Sequence, residues 1–257
     1  MIEFWRWNAL NIYRLKDTAP PKILGAAAEH SGWPHGASRQ AQHKNWSAGC
    51  ILSTKPPKTR VMAKLYFHYS TMNAGKSTLL LQASHNYYER GMQTYLLAAT
   101  FDTRAGTGRI GSRIGLSADA DMFTPSEDLF GKIKDRLDAG PCACVFLDEA
   151  QFLSPKQVWQ LARAVDDLGV PVMCYGLRVD FRGKLFPGSA ELLALADEMR
   201  EVRTICHCGR KATMVVRMDA EGRALTDGAQ VQIGGNETYT SLCRKHWREA
   251  TGDAASS

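Results

Sequence analysis

Lys64-Leu65-Tyr66-Phe67-His68-Tyr69 runs directly into Ser70-Thr71-Met72-Asn73-Ala74-Gly75-Lys76-Ser77, and this succession decides the fold. The first stretch is aromatic and apolar enough for a buried strand. The second matches the phosphate-loop pattern G-x-x-x-x-G-K-[ST] except at its first position, where Ser70 stands for Gly. In such a loop successive backbone N–H groups wrap a triphosphate, and the dipole of the helix that follows favours its negative charge. Lys76 is placed to reach the outer phosphates, and the Ser77 hydroxyl to ligate Mg²⁺. The spacing predicts a helix over 77–90, stopped at Gly91.

The rest of the chain repeats that alternation. Residues 95–100 read as a second strand. Thr124-Pro125-Ser126-Glu127 has a capping Thr, Pro at the first helical position and Glu three residues after the cap, which predicts a helix to about Asp138, closed by Gly140. Residues 142–147 are continuously apolar. Ser154-Pro155-Lys156-Gln157 repeats the capping pattern and predicts a helix to about Leu168, stopped by Gly169. Residues 170–175 are apolar again. Strands buried on both faces and alternating with amphipathic helices make a parallel α/β sheet. After Glu198 short strand-like pieces (213–218, 230–233) alternate with Gly-rich turns and cysteines, the texture of a small second domain.

Composition narrows the classes. The chain has 257 residues, 44% hydrophobic and 23% charged, which excludes fibrous and wholly disordered proteins. No run reaches the roughly 18 apolar residues of a membrane span, and no secretory signal is visible. Seven cysteines, an odd number, fit a reducing, cytoplasmic setting better than a paired scaffold. The net charge of +6 would suggest a polyanion partner, but residues 1–61 hold nine basic against three acidic residues, leaving 23 of each beyond them. The remainder therefore has no global field to steer nucleic acid, and neither nucleic acid nor membrane is an expected partner. Residues 1–61 carry four of the six tryptophans without periodicity. They read as a disordered extension or non-native start ahead of a natural start at Met62, rather than a basic binding arm or a targeting peptide.

Two further constellations carry chemistry. Val145-Phe146-Leu147-Asp148-Glu149 places two carboxylates at the end of an apolar strand. Beside a phosphate loop the first such acid supports Mg²⁺ and the next can act as base toward the nucleophile. Asp102 and Arg104, after the second strand, could add a Mg²⁺ contact and a clamp on the transferring phosphate. Cys206-His207-Cys208 and Cys243-Arg244-Lys245-His246 bracket a Gly-rich stretch. Two pairs of soft ligands fit a structural Zn²⁺ site, with His207 a competing ligand. Cys142, Cys144 and Cys174 read as core.

Together these motifs resemble the zinc-containing, cellular-type (type II) thymidine kinases, especially their bacterial branch. The resemblance spans residues 62–257 and rests on the loop 69–77, Phe101-Asp102-Thr103-Arg104, Asp148-Glu149-Ala150-Gln151-Phe152, the run 175–183 from Tyr175-Gly176-Leu177-Arg178, and Gly234-Gly235-Asn236-Glu237-Thr238-Tyr239 ahead of Cys243. It implies a RecA-like P-loop parallel sheet flanked by helices over 62–197, and a zinc-binding domain with a lasso loop over 198–257. It implies transfer of the ATP γ-phosphoryl to the 5′-hydroxyl of thymidine, and of deoxyuridine, giving dTMP for salvage and DNA synthesis. By the same resemblance Glu149 is the general base, and Ser70, Thr71, Met72, Asn73, Ala74, Gly75, Lys76 and Ser77 bind ATP with Asp102, Arg104 and Asp148. Zn²⁺ falls to Cys206, Cys208, Cys243 and His246. Nucleoside contacts fall on Met72, Leu177, Phe181, Val231, Ile233, Gly234 and Tyr239. Val215 takes the base-methyl contact where many members have Thr. A homotetramer inhibited by dTTP is implied as well. The rival readings are a RecA-like zinc-ribbon ATPase that binds nucleic acid, and a nucleotide-binding scaffold without catalysis.

Overall fold

The computed structural model describes residues 62–100, 108–230 and 238–252. Residues 1–61, Asp102, Arg104, Val231, Ile233 and Gly234, all singled out above, lie outside the described residues.

In chain order the first elements are β1 (Leu65–Ser70), helix α1 (Lys76–Tyr88), β2 (Thr94–Ala99), a hairpin of β3 (Arg109–Gly111) and β4 (Ser117–Asp119), β5 (Asp121–Phe123) and α2 (Leu129–Asp138). There follow β6 (Cys144–Asp148), a 3-10 turn (Ala150–Phe152), α3 (Pro155–Arg163), β7 (Val172–Leu177), α4 (Pro187–Leu195) and β8 (Glu198–Glu201). Six of the strands form one sheet in the order β5-β2-β6-β7-β1-β8. Every neighbouring pair in it is parallel.

The strand alternation explains why both faces are covered. In β6, Val145 and Leu147 join a cluster with Phe67, Leu97, Ile133 and Leu161, which is the face of α2, α3 and α4. Cys144 and Phe146 point the other way, into a cluster with Leu80, Leu81 and Tyr175 under α1. A strand buried on both faces reads as an unbroken apolar run, as β6 does. All four of these β6 side chains have no exposed surface.

The second capping signal folds as expected. The Ser154 side chain accepts the Gln157 N–H while the Gln157 side chain accepts the Ser154 N–H. The helix then widens into a π turn over Ala164–Leu168 and stops at Gly169, whose φ of 68° is left-handed. The first capping signal folds differently: α2 starts at Leu129, not after Thr124. The Glu127 carboxylate does reach back to the Thr124 N–H. However, the carbonyls of Thr124 and Glu127 accept from Gln157 Nε2, at 2.7 and 3.1 Å, so they are drawn toward α3 instead of a helical partner. The box survives as a turn, and Asp128 becomes the N-cap residue.

After β8 the chain forms a hairpin of β9 (Thr204–Ile205) and β10 (Lys211–Ala212). A three-stranded antiparallel sheet of β11 (Met214–Met218), β12 (Ala224–Leu225) and β13 (Tyr239–Leu242) follows, and α5 (Arg244–Thr251) closes it. Its core joins Cys206, Ala212, Val216, Leu242, Cys243 and Trp247. Among the described residues no helix is long and apolar enough to cross a membrane.

Candidate functional site

The loop between β1 and α1 makes two left-handed turns, at Asn73 (φ 61°) and Gly75 (φ 82°). Gly is natural at the second; α1 begins on the next residue, so its first N–H groups face the loop. Ser70 is not part of the turn. It is the last, buried residue of β1, and its hydroxyl donates to the carbonyl of Val202 beyond β8. An extended strand end needs no glycine, so the one departure from the motif is structurally neutral. Lys76 is buried, with its ammonium 2.9 Å from the Thr71 carbonyl across the loop.

β6 ends beside this loop. Asp148, 2% exposed, accepts hydrogen bonds from the Ser77 hydroxyl and the Glu149 N–H, and Lys76 lies close enough to attract it. Burial, then the neighbouring Glu149, push its carboxyl above the usual carboxylate range. An oxygen pair made of a carboxylate and a hydroxyl is the hard donor set that suits Mg²⁺.

Glu149 has φ 54°. It and Asn73 are the only non-glycine residues with positive φ among the described residues, and both sit at this site. Backbone strain of this kind persists only where the surroundings over-determine it. Here the constraint is visible: Gln151, 2% exposed, donates through Nε2 to the Glu149 carboxylate. Its Oε1 accepts the N–H of Leu177 at the end of β7, at 2.9 Å. The fit leaves no spare room, because a Cβ on Gly176 would meet Gln151 at 3.0 Å and one on Gly188 would meet the Leu153 carbonyl at 2.6 Å. Sequence reasoning gave Gln151 no role. Its bond to Leu177 spans 26 residues, and no local sequence signal marks it.

Of the described candidate nucleoside contacts, Met72 follows β1 and Leu177 ends β7. The Met72 carbonyl accepts from the Ser241 hydroxyl at 2.6 Å, which ties β13 to the phosphate loop. The Leu177 carbonyl accepts from Ser189 Oγ. Tyr239 opens β13 opposite Arg217. Val215 and Phe181 are buried, and Trp247 Nε1 donates to both of their carbonyls, at 3.0 and 3.1 Å. Asp180 accepts from Arg182 at 3.0 Å and from Gln230 at 3.1 Å.

Trp247 is the neighbour of His246, and His246 belongs to the cysteine cluster. The ligand atoms of Cys206, Cys208, Cys243 and His246 all lie within 4.8 Å of one another. Cys206 Sγ is 3.2 Å from His246 Nδ1, and Cys208 Sγ is 3.9 Å from Cys243 Sγ. A zinc tetrahedron has edges of about 3.5–3.8 Å by its bond lengths, so small side-chain shifts bring the four onto such an ion. Burial opposes ionisation of Cys206. The Cys208 N–H, the His246 ring and the Cys243 N–H outweigh it and bring the thiol down to about 5, as a metal ligand requires. His207, the competing ligand, stacks on the His246 ring at 4.2 Å and brings Nδ1 to 3.7 Å from Cys206 Sγ, but it is not one of the four residues whose ligand atoms all lie together.

A protein family described as "Thymidine kinase" matches residues 63–247. A Ruegeria pomeroyi protein named "Thymidine kinase" is 81% identical over 192 residues, 75% of this chain and 97% of its own length. Proteins of the same name from Rhizobium etli and Photobacterium profundum are 70% and 56% identical. They cover 72% and 74% of this chain and 94% and 100% of their own lengths.

Proposed function

Because the chain belongs to the thymidine kinase family, we propose that it transfers the γ-phosphoryl group of ATP to the 5′-hydroxyl of thymidine, and of deoxyuridine, yielding the 5′-monophosphate. The observation that carries this reading is the meeting of a phosphate loop after β1 with a strained, hydrogen-bonded Glu149 after β6, two strands of one sheet with β7 between them.

In this reading the N–H groups at the start of α1 and the Lys76 ammonium hold the outer phosphates. Lys76 exchanges the Thr71 carbonyl for a phosphate oxygen. Ser77 and Asp148 would hold Mg²⁺, which neutralises charge on the transferring group. Glu149 accepts the proton of the 5′-hydroxyl as the oxygen attacks phosphorus. Gln151 keeps the carboxylate aimed, and its other end anchors Leu177 beside the sugar. Phe181, Met72 and Tyr239 line the nucleoside pocket, with Val215 facing the base methyl. Asp102, Arg104, Val231, Ile233 and Gly234 complete the ATP and nucleoside contacts by family resemblance. Cys206, Cys208, Cys243 and His246 would hold Zn²⁺, which would anchor α5, while Trp247 on α5 holds the backbone of Phe181 and Val215. Family resemblance also supports a cytoplasmic homotetramer inhibited by dTTP.

Glu149→Gln tests the assignment. Removing a positioned base typically costs about 10²–10⁴ in rate. The variant should bind ATP normally and lose most turnover; a near-normal kcat would refute the role.

A further inference from the structure

Arg217, the next-to-last residue of β11, is 5% exposed, yet its side-chain partners in the described residues are a ring and two carbonyls. The guanidinium carbon stands 4.0 Å from the centroid of the Phe181 ring. The two terminal nitrogens donate to the carbonyls of Ala229, at 3.0 Å, and Asp227, at 3.4 Å. Nε is buried and has no hydrogen-bond partner among the described residues. A buried cation without a carboxylate is costly unless its geometry is used.

The chain around it is shaped to that geometry. Gly228, between the two accepting carbonyls, has φ 126°, and a Cβ there would lie 2.5 Å from the guanidinium. Only glycine lets residues 227–229 curl around the fork. One residue on, Gln230 donates to Asp180, the neighbour of Phe181. The segment 227–230 is thus fastened twice to the 180–181 turn, once through Asp180 and once through Arg217.

We infer that Arg217 is the positioning residue for the aromatic wall of the nucleoside pocket: its guanidinium plane sets the Phe181 ring and clamps residues 227–229 against it, so that nucleoside affinity depends on it while phosphoryl transfer does not. The inference rests on the proposed placing of Phe181 in that pocket. It also explains why arginine is needed. A lysine is a point charge that can neither lie flat on the ring nor fork to two carbonyls.

The test is steady-state kinetics with thymidine and with ATP for Arg217→Lys, Arg217→Met, Phe181→Leu and the Arg217→Lys/Phe181→Leu pair. A desolvated cation–π contact supports an expected rise of about tenfold in the thymidine KM for both Arg217 variants. The kcat and the KM for ATP should stay within about twofold, a split that loss of folded enzyme alone would not give. The double variant should be little worse than Phe181→Leu, because the two side chains act as one. An unchanged thymidine KM in Arg217→Lys, or a fall in kcat alone, overturns the inference while leaving the pocket intact if Phe181→Leu still raises KM. An unchanged KM in Phe181→Leu removes Phe181 from the pocket, and the inference with it.

Discussion

Replacing Gln151 by Met removes both ends of an amide while keeping its length. One end supports the Glu149 carboxylate and the other satisfies the Leu177 N–H. The Leu177 donor is left without its acceptor in a partly buried setting, a cost of about 1–3 kcal/mol. The lost contact to an ionised carboxylate is of similar size, offset by the apolar side chain now filling the site. A net loss of about 2 kcal/mol lowers the thermal midpoint by roughly 4–8 °C in a chain of this size. The effect on catalysis is separate. A carboxylate freed to rotate should lower kcat by about ten- to a hundredfold, equivalent to about 1.4–2.8 kcal/mol of barrier. The assay is a double-mutant cycle on kcat with Glu149→Gln. If Gln151 acts through Glu149, Gln151→Met costs little further once the carboxylate is gone. An equal loss of kcat in both backgrounds, or an unchanged midpoint in the single variant, would refute the reasoning.

Other expectations follow from the same contacts. Cys206→Ala should fall well below the roughly one zinc per chain that a closed four-ligand site holds, and its thymidine KM should rise, because His246 and Trp247 share α5; metal analysis beside kinetics checks both. Gly228→Ala forces a Cβ against Arg217 at a backbone angle suited to glycine and should cost about 1–3 kcal/mol, measured by denaturant unfolding. His68 is stacked on Tyr175 at 4.4 Å with its Nε2 buried and without a hydrogen-bond partner among the described residues. Burial, aided by Arg200, lowers its pKa to about 4. The unfolded chain therefore binds the extra proton between about pH 4 and 6.5, so stability is fully present above that window and is lost as pH falls through it. His68→Phe should flatten that slope by about 2 kcal/mol, read from unfolding at pH 4.5 and pH 7.

How much of this was legible in the sequence depends on the range of the interaction. The phosphate loop, the Ser154 capping box and the apolar β6 were readable because each is set by neighbours within a few residues. The start of α2 was not, because Gln157 on another helix takes the carbonyls that would have continued the turn. β8 was missed for a different reason. Its sequence Glu-Met-Arg-Glu carries the charges of an exposed edge strand and has no apolar run, although it pairs in parallel with β1. At the candidate site the motif residues Lys76, Ser77, Asp148 and Glu149 were visible, and so were the four cysteine-cluster ligands. Gln151 and Arg217 were not. What marks Gln151 is its bond to the distant Leu177 N–H, and what marks Arg217 is the Phe181 ring with two carbonyls beyond the next strand, none of which sequence spacing reveals.

The most direct test supplies γ-labelled ATP, Mg²⁺ and a panel of deoxynucleosides to the zinc-loaded protein and identifies the labelled product. The account predicts one label transferred to the 5′-oxygen of thymidine for each ADP released, and almost none in Glu149→Gln. A folded, metal-loaded protein that labels no pyrimidine deoxynucleoside, or that only hydrolyses ATP when DNA is added, would contradict it.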